Sequence, residues 1–125
     1  MSLLVHTYRR RADGRRTLLD DPPCGRDLGG PERRRTTVWG SEAAQASGAR
    51  FLPRRASEDL YIEGDDVADF VAECVRLRAG SESFVSALRQ PAGPELLHHV
   101  RSKLDNFVAA GRRALETEGG SVLIR

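Results

Sequence analysis

At 125 residues, with 39% hydrophobic and 30% charged side chains, the chain has room for one core and is too apolar to stay disordered. The formal net charge of +2 argues against a partner held by bulk charge alone. The longest apolar runs fall far short of the roughly twenty residues that a membrane-spanning helix requires.

Lys103 is the sole lysine, so the basic residues are almost all arginine. An arginine-rich, alanine-rich and glycine-rich composition fits a genome rich in G and C as well as it fits selection for guanidinium chemistry, so arginine counts alone carry little weight. Cys24 and Cys74 are far apart and no apolar signal segment precedes them. Both are expected to be free thiols, which with the absence of such a segment suggests a cytoplasmic protein.

In chain order, Leu3 to Tyr8 read as a strand, Asp13 and Gly14 as a tight hairpin turn, and Arg15 to Leu19 as the returning strand. The hairpin thus occupies about residues 3–19. A breaker-rich loop follows over about 20–35, dense in proline and glycine up to Pro31. Thr36 to Trp39 are β-formers. Gly40 then stops the strand, and Ser41 caps a short helix that runs to Ala46 and ends at Gly48. Phe51, Leu52 and Pro53 form an apolar plug before a strand over Leu60 to Glu63.

The clearest helix starts at Asp65 or Asp66, either of which suits a cap, and carries Val67, Phe70, Val71, Cys74 and Leu77 on one face. Gly80 ends it. Ser81 reads as the cap of a short helix with Phe84, Val85 and Leu88 inward, up to the breakers Pro91, Gly93 and Pro94. Pro94 opens a long final helix with a buried stripe of Leu97, Val100, Leu104, Phe107, Val108, Gly111 and Leu115. The glycine on that stripe implies close approach by another element. Val122, Leu123 and Ile124 form a closing strand, apolar on both faces and therefore inside the sheet. The expected fold is α+β: one domain over 1–125, with three to four helices on one face of a small, mainly antiparallel sheet.

No catalytic or metal motif stands out, and no cofactor is expected. His98 and His99 are helix neighbours projecting about 100° apart, which cannot grip one metal as an i, i+4 pair does. The cysteines have no CxxC or Cys/His spacing, no serine lies in a GxSxG elbow, and no GK[ST] follows Gly25, Gly29 and Gly30.

Two charge asymmetries remain. From Glu58 to Glu73 the chain is acidic with no basic residue. Asp65, Asp69 and Glu73 fall four residues apart along one helix edge, with Asp66 beside them, and this edge suits a basic partner. The plain reading of the same residues is a solvated helix face. The second asymmetry is the hairpin of Arg9, Arg10, Arg11, Arg15 and Arg16, in which a two-residue turn sets Arg11 opposite Arg16. Facing like charges would gain from a bound anion, and Arg33, Arg34 and Arg35 form a second run; a solvated hairpin tip is the plain reading here.

The sequence therefore suggests a non-catalytic protein-binding module that masks a basic protein with an acidic helix edge. It has the general character of small bacterial immunity proteins or inhibitors, without a diagnostic motif of any one family. The alternative is a nucleic-acid or anion-binding accessory protein that uses the arginine hairpin, against which the scarcity of aromatics for stacking counts. A homodimer through the hairpin or an open sheet edge, and an enzyme assembled from distant residues, stay open.

Overall fold

The computed structural model describes residues 2–3, 5–10, 12–13, 15–18, 30–31, 38–56, 58–88 and 94–124. The fold is α+β. Strands β1 (Ser2–Leu3), β2 (Val5–Arg10), β3 (Arg16–Leu18) and β4 (Gly30–Pro31) precede helix α1 (Glu42–Ala46) and a 3-10 turn at Leu52–Ala56. Strand β5 (Leu60–Ile62), helices α2 (Asp66–Ala79), α3 (Ser81–Ala87) and α4 (Pro94–Leu115), and strand β6 (Gly120–Ile124) follow. No helix among the described residues is long and apolar enough to cross a membrane.

The main sheet is antiparallel in the order β3-β2-β6-β5, and β1 pairs with β4 apart from it. The closing strand β6 lies inside the sheet, with Ser121 to Ile124 all buried, as its apolar run requires. The register brings Val5, Ile124 and Leu60 into one row and Thr7, Val122 and Ile62 into the next. These rows face the helices, where the Thr7 hydroxyl donates to the Ala110 carbonyl of α4 at 3.2 Å.

Helices α2 and α4 cross over this face with aromatic rings between them. Phe107 takes Trp39 at 5.1 Å and Phe70 at 6.3 Å, both edge to face. At Gly111 side chains of α2 press against the α4 backbone, since a Cβ there would overlap a methyl of Val71. Arg101 of α4 ties α3 down by donating to the Ser81 hydroxyl at 2.8 Å and to Glu82 at 3.3 Å.

Several local expectations need correction. The hairpin register pairs Arg10, not Arg11, with Arg16, which leaves five residues in the connection instead of two. Asp13 shapes that connection by accepting the Arg15 N–H at 2.9 Å, a side chain imitating a turn. Val38 and Trp39 lie in a helical turn, not a strand, because burial against Phe107 outweighs β-propensity. Gly30–Pro31 forms a short strand inside the breaker-rich segment; two residues at a sheet edge tolerate a proline that a central strand would not. Ser81 is the buried first residue of α3 and Gly80 occupies the cap position. On α4 the buried stripe ends at Ala114, with Leu115 52% exposed. The rest of the loop from 20 to 35, and the Gly14 turn position, lie outside the described residues.

Ser41 behaves as its sequence position requires. Its side chain accepts the Ala44 N–H at 3.2 Å and opens α1.

Candidate functional site

The acidic segment splits into parts with different chemistry. Glu73 sits among Phe70, Cys74 and Leu77 on the inner side of α2 and is only 3% exposed. One carboxylate oxygen accepts the Phe51 N–H at 3.0 Å, the other accepts the Leu52 N–H at 3.0 Å, and the Arg50 N–H also donates to the group. Three successive backbone donors therefore converge on one buried carboxylate, which fastens the chain before β5 to α2. The expectation that Glu73 belongs to an outward acidic edge is wrong, because those donors satisfy its charge inside the fold.

Asp65, Asp66 and Asp69 are exposed at the start of α2. Asp65 stands at the cap position with helical φ and ψ, and its side chain makes no capping hydrogen bond, contrary to expectation. A carboxylate receives capping donors well only from an extended backbone, which this residue lacks. Asp66 does not cap either: its carboxylate meets Arg50 Nη2 at 3.3 Å, and Asp69 meets the same nitrogen at 3.5 Å. The Arg50 guanidinium also lies 4.4 Å from the centre of the Phe51 ring. One exposed cation is thus shared by two carboxylates, with a third beside them. Ion pairs this exposed contribute at most about 1 kcal/mol, so solvent or a partner's cation can displace Arg50.

Glu58 pairs with Arg54 at 3.0 Å. Glu63, just beyond β5, accepts the Tyr8 phenol at 2.8 Å, and Tyr8 is wholly buried. β5 is an edge of the main sheet and presents Tyr61, which is 49% exposed.

Toward the other side of the sheet, Arg9 on the inner strand β2 and Arg15 before the edge strand β3 are exposed, and the register sets Arg10 opposite Arg16. Arg15 also approaches Asp13 at 3.8 Å. Arg11 and the run Arg33, Arg34, Arg35 lie outside the described residues.

Cys74 is buried, and desolvation pushes its thiol well above the usual range, with the neighbouring Glu73 charge adding to the effect. Such a thiol is a packing group and a poor nucleophile. Among the described residues, no three His, Cys, Asp or Glu side chains stand together as metal ligands would.

Sequence spacing did not reveal Arg50, Tyr8 or the inward turn of Glu73. The one available signal was position: residue 73 falls between Phe70, Cys74 and Leu77 on the three-and-four spacing of the apolar face. Comparison with protein-family models, with curated proteins and with solved structures returns no match to this chain, so its own geometry is what a functional reading has to stand on.

Proposed function

We propose that the protein is a binding module that masks a basic protein partner, in the manner of an inhibitor, with the acidic start of α2. The supporting observation is that Asp65, Asp66 and Asp69 stand exposed on adjoining turns with Arg50 bridging only two of them. Among the described residues that leaves more negative than positive charge at this turn, a surface that steers and orients a cationic partner. The half-exposed Tyr61 on the neighbouring edge strand adds an aromatic of the kind that anchors protein interfaces.

The test is capture of a basic protein by wild type and by Asp66→Lys with Asp69→Lys, with melting curves to confirm that the fold survives. Charge reversal should abolish capture. Arg50→Ala removes the internal competitor and should strengthen it. Unchanged capture in the reversed variant would refute the surface. Glu73→Lys has no place in this test, since it would unfasten the fold.

A second reading, an anion-binding or nucleic-acid-binding accessory protein, is favoured by one observation, the facing pair Arg10 and Arg16. It requires retention on heparin that falls steeply with salt. Retention unaltered by Arg10→Ala with Arg16→Ala would count against it.

A further inference from the structure

We propose that two copies of the chain pair through the outer face of α2, packed antiparallel about a two-fold axis; the inference goes beyond the acidic-surface reading and does not depend on it. The inner face of α2 is taken up by the core, through Val67, Phe70, Cys74 and Leu77. On the outer face Ala68, Ala72, Val75 and Ala79 recur at four-, three- and four-residue spacing, and all four are exposed. Val75 is 44% exposed, one of three large apolar side chains so placed among the described residues. Such spacing draws an apolar seam along a helix, the pattern by which one helix receives another.

The charges beside the seam identify what covers it. Asp66 and Asp69 share Arg50, Glu73 accepts backbone N–H groups inside the fold, and Arg78 donates to Asp105 of α4 at 3.1 Å. Of the charged side chains from 65 to 79, Asp65 and Arg76 are left, both exposed and without an ion-pair or hydrogen-bond partner for the side chain. They are eleven residues apart, which is three helical turns or about 16 Å, so they lie on the same flank of the seam. The opposite flank belongs to the α4 contact: Val71 meets Gly111 there, and the exposed Arg112 borders it.

One charge of each sign, set at the two ends of one flank, makes this face its own complement, and self-complementarity is what a two-fold contact between identical chains requires. An antiparallel second copy with Ala72 near the axis brings Val75 against Ala68 of the second copy and Asp65 within reach of Arg76 of the second copy. The axis repeats both contacts. A parallel pairing would instead face Asp65 with Asp65 and Arg76 with Arg76. A uniformly basic partner helix would meet Arg76 with like charge, and a uniformly acidic one would do the same to Asp65. The small side chains of the seam let the two axes approach to the short end of the usual range of about 8–10 Å, with the helix dipoles opposed. A seam of one helix against one helix falls below the roughly 1,200 Å² of a standard interface, so the dimer is expected to be a weak one, forming at micromolar concentrations or above.

The experiment is sedimentation velocity of the full-length chain over a micromolar-to-millimolar range, with melting curves of every variant recorded at low concentration. A reversible monomer–dimer equilibrium is the expected result. Val75→Glu places a charge in the seam from an exposed position, and should raise the dissociation constant by at least about ten-fold while leaving the melting curve unaltered. Asp65→Arg and Arg76→Asp each bring like charges together at both contacts, and each should weaken the dimer. The two combined recreate both pairs with the signs exchanged and should restore the wild-type dissociation constant, a rescue that a merely structural role would not give. A chain that stays monomeric at every concentration overturns the proposal, and so does a dimer indifferent to Val75→Glu. A double variant that associates no more tightly than the single ones overturns the antiparallel arrangement.

Discussion

Replacing Glu73 by alanine deletes the acceptor of three successive backbone N–H groups, and the cost can be worked from their surroundings. Phe51 and Leu52 are 2% and 0% exposed, so their amides cannot turn to water when the carboxylate is gone. An orphaned buried donor costs about 1–3 kcal/mol, while the amide of the exposed Arg50 can be rehydrated at little cost. Two orphans then give about 4 kcal/mol, a large share of the roughly 5–15 kcal/mol by which domains are stable. At about 4 °C per kcal/mol for a chain of this size, the melting temperature should fall by about 15 °C. Glu73→Gln keeps one carbonyl oxygen but turns an NH₂ toward a row of donors, so about 2–3 kcal/mol is expected. Urea unfolding is well suited to the measurement, since Trp39 is the sole tryptophan and is buried against Phe107. The control is Asp69→Ala, whose bridge to Arg50 is exposed and whose loss should stay within about 0.5 kcal/mol. If Glu73→Ala loses less than about 1 kcal/mol, or no more than Asp69→Ala, the fastening role assigned to Glu73 is wrong.

Gly111→Ala should destabilise by about 1–3 kcal/mol despite better helix propensity, because the new methyl meets Val71; Val71→Ala should recover most of the loss in a double-mutant cycle. The Cys74 thiol should resist aromatic disulfide reagents until the chain unfolds, with modification tracking the urea transition. The folded chain also holds the Cys74 proton more tightly than the unfolded one, so the associated stability is complete below the ordinary value of 9.0 and is lost as the pH rises beyond it. Cys74→Ala should flatten that alkaline decline, and an identical slope in both proteins would refute the linkage. Arg16→Glu replaces a like charge at the position opposite Arg10 in the register with an opposite one and should stabilise by about 0.2–1 kcal/mol at low salt, with the gain shrinking as salt is added.

The elements that could be read in advance are those whose information is local. The three-and-four spacing of Val67, Phe70, Cys74 and Leu77 marked α2, Ser41 marked the start of α1, and the glycine on the α4 stripe marked its contact with Val71. Information carried by distant partners could not be read this way. Val38 and Trp39 have the side chains of a strand and lie in a helical turn, because a ring on a helix far along the chain sets their burial. The hairpin slipped by one residue: in place of a two-residue turn, the Asp13 carboxylate captures the amide two residues on, within a longer connection. Glu73 was assigned to the wrong side of its helix since its partners are backbone amides, which every residue but proline carries and no composition discloses. Spacing gave the acidic surface its location and the fold gave it its membership.

The position of β6 between β2 and β5 has a kinetic consequence. Val5 and Ile124 lie side by side in the sheet, so joining them closes a loop of nearly the whole chain. Contacts of such long sequence separation repay their loop-closure entropy late, which places the fold among slower-forming mixed domains. Until β6 docks, the β2–β3 hairpin and β5 are two unjoined fragments with bare hydrogen-bonding edges. Whatever loosens this single strand dissolves both halves together, and exposes the edges through which the chain would aggregate.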